Sequence, residues 1–228
     1  MQTRILRILP VLAVFGALLA ASAQAQAPAP GPPTGGTPVP QSGPFALSGA
    51  GHVLLGQAVR FRGAVDRGDA GRAVTVERFD VATQTWTPEA TTTVGSDGSF
   101  LAKWQPRHSG RFQTRAVVDR AGSAGAATAS PELALTVYKP AIATWYGPGF
   151  YGKRTACGIK MTRSLVGVAH RRLPCGTNVA LRYRGRTIIA PVVDRGPFRR
   201  GTDWDLTAAA AQAIGFAETS RLGAVSLR

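Results

Sequence analysis

Acidic side chains are scarce in the last 88 residues of this 228-residue chain, with 4 Asp and Glu against 14 Lys and Arg. Two of the four, Asp194 in Val193-Asp-Arg-Gly-Pro-Phe198 and Asp205 in Trp204-Asp-Leu-Thr207, sit where a carboxylate has either of two jobs. Either can hold a charge or a proton for a reacting group. Taken alone, Asp194 before Arg-Gly-Pro reads as a turn former bonding its own backbone, and Asp205 near a helix start reads as a cap. His170, closing Gly167-Val-Ala-His170, is a proton carrier or a satisfied structural histidine. Tyr146, Phe150 and Tyr151, interleaved with glycines, are a platform on which a sugar could stack or a piece of core. Cys157 and Cys175 are the only cysteines. An even count in an oxidising compartment favours a disulfide, and closing a loop of that length contributes about 3 kcal/mol. The alternative, a metal site or a thiol nucleophile, needs His170 as partner.

The elements that must position these residues begin with the chain's address. Arg4 and Arg7 precede an apolar run from Ile8 to Ala21, and small residues follow at Ala21-Ser-Ala23 and Ala23-Gln-Ala25. This is a secretory signal over residues 1–23, shorter than the roughly 20 apolar residues a membrane span needs. No cysteine near the cleavage site offers a lipid anchor. Residues 24–44 carry seven prolines and no charge, an extended spacer reaching about 60 Å. Residues 45–139 alternate apolar and polar in Ala58–Val65 and Ala73–Phe79, with turn signals at Asp66-Arg-Gly68, Ser96-Asp-Gly98 and His108-Ser-Gly110. Short strands at this spacing predict an immunoglobulin-like β-sandwich, with Trp86, Phe100, Trp104 and Phe112 as core anchors and His52 and His108 in loops. Residues 140–228 read as β-rich. Thr187–Val193 forms a buried strand after the turn Arg184-Gly-Arg186, and a helix over Leu206–Ile214 is capped by Thr207 or Asp205 and ended by Gly215.

In order and spacing, Ala143-Thr-Trp-Tyr-Gly-Pro-Gly-Phe-Tyr-Gly152, Arg154-Thr-Ala-Cys-Gly158, Gly167-Val-Ala-His170, Leu173-Pro-Cys-Gly-Thr177, Val193-Asp-Arg-Gly-Pro-Phe198 and Trp204-Asp-Leu-Thr207 resemble the double-psi β-barrel of the rare lipoprotein A family, a relative of expansins. The preceding segment resembles the immunoglobulin-like modules of bacterial surface proteins. The expected architecture is therefore mainly β: an immunoglobulin-like sandwich followed by a six-stranded double-psi barrel with a short helix. The resemblance implies an exported protein that engages peptidoglycan glycan strands. Some family members cleave them as lytic transglycosylases that prefer naked glycan; expansin-like ones bind or loosen polysaccharide without turnover. It also implies Asp194, His170 and Asp205 as catalytic candidates. Tyr146, Phe150, Tyr151, Thr155 and Arg195 are the substrate-binding candidates. The sequence departs from the catalytic pattern at Ile159, where active members carry Glu, and at Thr162, which replaces a nearby Asp.

The formal charge of +15 falls to +13 once Arg4 and Arg7 are removed, and +10 of that lies in the last 88 residues. Such a domain seeks an anionic partner. After export that partner is a cell-wall polymer, with Arg171, Arg172, Arg182, Arg184 and Arg186 adding non-specific attraction. Nucleic acid has the same electrostatic requirement, but export and the lack of a nucleic-acid motif argue against it. Two cysteines and three histidines argue against a structural zinc site. No cofactor is expected, and the chain is expected to be a monomer without a membrane anchor.

Overall fold

The computed structural model describes residues 45–119 and 128–227. The segments read as a secretory signal and a Pro-rich spacer lie outside the described residues. The first strands are β1 (Ala46–Gly49), β2 (His52–Leu54), β3 (Val59–Ala64), β4 (Ala73–Asp80), β5 (Thr85–Thr93), β6 (Ser99–Trp104), β7 (Gly110–Val118) and β8 (Thr128–Ala129). β1, β3 and β6 form one antiparallel sheet, while β5, β4 and β7 form the edge of a second. Alternation sets which face is buried. Val59 and Phe61 of β3 and Phe100, Ala102 and Trp104 of β6 share one buried cluster with Val74, Val76, Ala116 and Val118 of the other sheet.

Two expectations for this half need correcting. Trp86 is not a core anchor. It lies outside the buried cluster, 5.3 Å from the Phe79 ring and beneath the Arg115 guanidinium at 4.0 Å. An amphipathic indole is served as well by a cation over its face as by a core. Nor is His52 in a loop: it opens β2, and its Nδ1 lies 3.1 Å from the Tyr138 hydroxyl.

β9 (Leu133–Tyr146) is 14 residues long and belongs to both halves of the chain. Leu133–Val137 pair with β7, and His52–Leu54 pair in parallel with Thr136–Tyr138. From Lys139 onward the same strand enters a barrel. The boundary read at residues 139/140 thus falls inside a strand. The remaining elements are β10 (Val168–Ala169), β11 (Asn178–Tyr183), β12 (Arg186–Asp194), β13 (Trp204–Thr207), α1 (Ala208–Ile214) and β14 (Ser220–Ser226). Six strands close in the order β9, β14, β11, β12, β10, β13 and back to β9. Two of the contacts, β10 with β12 and β13 with β9, are parallel.

Local sequence explains the corners of the barrel. Arg184 and Gly185 both take positive φ (46° and 85°), which gives the two-residue hairpin turn between β11 and β12 the right-handed twist of its strands. The Thr207 hydroxyl caps α1 by accepting the Ala210 N–H at 3.3 Å, and Gly215 ends the helix at φ 67°. Val168, Val179, Leu181, Ala190, Val192, Leu206, Leu222 and Ala224 fill the barrel interior. Ala210, Ala211 and Ile214 of the helix join the same cluster.

Candidate active site

The candidate carboxylates are brought together by strand register. Ala169 of β10 pairs with Asp194 of β12 on one side and with Asp205 of β13 on the other, and Asp205 in turn pairs with Thr144 of β9. Residues in register on neighbouring strands face the same way. Thr144, Asp205, Ala169 and Asp194 therefore form a row across four strands on the outer face of the barrel. The alternate residues Ala143, Leu206 and Val168 are in the core. Plain alternation would send Asp194 inward with Val192. Between the pairs Val168–Val192 and Ala169–Asp194 the register shifts, so Val192 and Val193 are both buried and Asp194 turns out. Re-aiming a side chain is what a bulge does beside an active site. The two aspartates flank the small Ala169 with backbones roughly 9–10 Å apart.

Each carboxylate has its own set of donors. Asp194 Oδ1 accepts the backbone N–H of Ala156 and of Arg195, both at 2.8 Å, and its Oδ2 accepts the Tyr146 hydroxyl at 3.3 Å. Asp205 Oδ1 accepts the Thr144 hydroxyl at 2.7 Å. Burial pushes the Asp205 carboxyl above the ordinary carboxylate range; the Thr144 bond opposes this, and the charge of Asp194 adds to it. Burial, then the charge of Asp194 and the bond to it, also pushes the Tyr146 phenol well up, so Tyr146 stays a donor.

The loop from Gly147 to Gly167 lies beside the row, with Ala156 bonded to Asp194. Gly147 is required there, since a Cβ would lie 2.7 Å from the Tyr151 hydroxyl and 2.8 Å from Ala208 Cβ. Thr155 is buried, and its hydroxyl accepts the Ile159 N–H at 3.2 Å, fixing the tight turn that presents the Ala156 N–H to Asp194. Cys157 and Cys175 are joined in a disulfide that ties this turn to the segment after β10. Ile159 is 39% exposed at the turn's far end. Phe150, 50% exposed, meets Tyr146 edge to face at 5.6 Å, and the Lys153 ammonium lies 5.7 Å over its ring. Tyr151 carries Arg163 over its face at 4.9 Å.

Other sequence candidates sit behind the row. His170 Nδ1 accepts the N–H groups of Arg172 (3.1 Å) and Leu173 (2.9 Å), and its ring lies 4.4 Å from that of Trp204. Burial, then Arg171 and Arg195, hold its pKa below the usual histidine value. The Arg195 guanidinium turns away from Asp194, donating to the carbonyls of His170 and Leu173 and approaching Cys175 Sγ at 3.2 Å. Arg171 similarly donates to the carbonyls of Pro197 (2.9 Å) and Thr202 (2.7 Å). Sequence reasoning missed Thr144, Ala169 and Phe198. The first two are legible only through register; Phe198, 81% exposed after the Asp-Arg-Gly-Pro turn, was marked by its place in the motif. Among the described residues no cluster of His, Cys, Asp or Glu could hold a metal ion.

Comparison with known proteins agrees with this geometry. Residues 139–227 match the family described as lytic transglycolase. Over these residues the barrel is similar to an RlpA-like double-psi domain. A "probable endolytic peptidoglycan transglycosylase RlpA" of Synechocystis is 45% identical to the chain over 91 residues, 39% of this chain and 28% of that protein. The like-named Aquifex aeolicus protein is 45% identical over 75 residues, 32% of this chain and 33% of its own length. The "endolytic peptidoglycan transglycosylase RlpA" of Rickettsia felis is 34% identical over 94 residues, 39% of this chain and 41% of the relative. The chain thus spans well under half the length of these curated relatives, and the likeness belongs to the RlpA-like domain.

Proposed function

We propose that the chain is an exported cell-envelope protein whose barrel cleaves peptidoglycan glycan strands as an endolytic lytic transglycosylase. The observation that carries the reading is the outward row Thr144–Asp205–Ala169–Asp194, with a burial-raised carboxyl at Asp205 and Tyr146 bonded to Asp194. In this reaction the 6-hydroxyl of a muramyl unit attacks its own anomeric carbon. The C1–O bond to the next sugar breaks, and the departing oxygen takes a proton from Asp205. The carboxylate so formed receives the proton of the attacking hydroxyl, which restores the acid and leaves a 1,6-anhydro end. One acid that both gives and takes a proton is enough. Ordinary glycosidases differ in needing two carboxyl groups to activate an outside nucleophile. The Asp194 carboxylate, held by two backbone donors and Tyr146, faces the positive charge that develops at C1. Phe150 offers an exposed ring for stacking. His170 and Arg195 act as positioning residues that hold the turns around the row.

A second reading, an expansin-like protein that binds without turnover, is favoured by Ile159, an exposed apolar side chain where the catalytic pattern has an acid. The preceding half, read as an immunoglobulin-like module, serves as a spacer or second contact surface. Among the described residues no helix is long and apolar enough to cross a membrane. Incubation with peptidoglycan stripped of stem peptides separates the readings. Anhydro-muramyl products that vanish in Asp194→Asn and Asp205→Asn establish cleavage; sedimentation with the wall but no products establishes binding alone.

A further inference from the structure

The first half of this protein is close to charge balance, with 11 basic and 8 acidic residues over 45–140, and the barrel is not. The four ion pairs found among the described residues all join residues 69–115: Arg72–Asp69, Arg78–Asp80, Arg78–Glu89 and Arg115–Glu77. None involves an arginine of the barrel. Three of those arginines converge where the halves meet. Arg221 and Gly223 are two apart on β14 and share a face, Arg182 of β11 pairs in register with Gly223, and Arg184 in the turn after β11 lines the same cleft. That face is the one against which the first half packs, since a Cβ on Gly223 would lie 2.8 Å from Tyr138 Cβ and 3.0 Å from Leu54 Cδ2.

The result is a cleft of about 420 Å³ lined by Arg182, Arg184 and Arg221 with His52, Gln57 and Tyr183, and no acidic side chain is among its lining residues. Arg182 is steadied by donating to the Gly185 carbonyl (3.2 Å) and the Thr187 hydroxyl (3.3 Å), both through Nη1, and the Arg184 guanidinium lies 5.1 Å over the Tyr183 ring. Gln57 Oε1 accepts the Leu54 N–H at 3.4 Å, which leaves its amide protons as donors. Like charges gathered on a concave, partly apolar wall repel one another, and an oxyanion held by charge-assisted bonds relieves that repulsion.

We propose that this junction cleft is a binding site for an oxyanion group, carboxylate or phosphate, of a wall polymer, separate from the row of carboxylates. It holds the polymer while the barrel acts on it. The site needs no catalytic turnover, so it stands whether or not the barrel proves lytic.

The test follows the His52 ring resonances of the full chain by NMR at fixed ionic strength. Inorganic phosphate, N-acetylmuramic acid and uncharged N-acetylglucosamine are titrated separately. Saturable shifts are expected with at least one anion and not with N-acetylglucosamine. A stronger response to N-acetylmuramic acid makes the lactyl carboxylate of the glycan the source, and a stronger response to phosphate makes it a phosphodiester polymer. The Arg182→Gln/Arg221→Gln protein should bind about tenfold or more weakly, and Arg184→Gln, which leaves the strands untouched, should show a smaller loss. Arg60→Gln/Arg62→Gln removes the same charge from exposed β3 and should change nothing. Shifts that never saturate, an equal response to N-acetylglucosamine, or equal weakening in the Arg60/Arg62 protein would overturn the proposal.

Discussion

At the scale of single residues, the two aspartates differ in what surrounds them. Asp194 is gripped by two backbone N–H groups and a phenol, whereas Asp205 has one hydroxyl donor and a carboxyl raised by its own burial. In the proposed reaction this divides the labour, with Asp205 carrying the proton and Asp194 facing the charge that develops at C1. Cleavage that needs Asp205 protonated slows as pH rises through its raised pKa, so the alkaline limb of the rate profile reports Asp205 and disappears in Asp205→Asn together with activity. The same shift has a cost in stability. A carboxyl whose folded pKa exceeds its unfolded value contributes stability that is complete below the unfolded pKa and lost as pH rises through the folded one. Asp205→Asn should therefore raise Tm at neutral pH. A calorimetric scan of the variant showing a lower Tm would contradict this environment for Asp205. His170 is bound the other way. Its Nδ1 serves two backbone donors, so His170→Ala leaves the part-buried Leu173 N–H without that partner and should cost about 1 kcal/mol in denaturant unfolding. His170→Asn, which keeps an acceptor, should recover part of that loss and of the activity.

At the scale of elements, the site depends on a bulge, a bridged loop and a register. The Cys157–Cys175 disulfide closes a loop of 18 residues around the turn that offers Ala156 N–H to Asp194. Replacing both cysteines by Ser should cost about 3 kcal/mol by loop closure and lower the cleavage rate more than it weakens glycan binding. Equal losses of both would mean that the bridge serves the fold alone. The turn at Arg184-Gly185, the strand after it and the Thr207-capped helix were legible in the sequence, because local chemistry decides them. Bringing Asp194 and Asp205 to either side of Ala169 was not, since it rests on a parallel pairing between distant strands and a register shift that leaves no local mark. The same holds for Trp86: alternation put it in a strand, but only its neighbours decide which face that strand buries. Arg195 and Thr155 read as ligand contacts from their motifs; in the structure their polar groups are engaged by the loops themselves.

At the scale of the molecule, β9 joins the two halves as one strand, and Tyr138, Ala180 and Val225 form a small buried cluster at the junction. Pro140 and the change in charge composition read as a boundary, because a strand that changes partners midway looks in sequence like two. A shared strand couples unfolding of the halves. Calorimetry should show one transition with equal calorimetric and van't Hoff enthalpies, and two separated transitions would refute the coupling. The excess of basic residues in the barrel should also make binding to whole sacculi weaken with salt, as screening shortens to about 8 Å at physiological strength.

The most direct test of the central claim is mass spectrometry of glycan fragments released from purified, stem-peptide-free peptidoglycan. The account predicts 1,6-anhydro-muramyl ends with the wild-type chain and none with either Asp194→Asn or Asp205→Asn. A wild-type chain that binds the glycan and releases no such ends, or variants that release them undiminished, would contradict it.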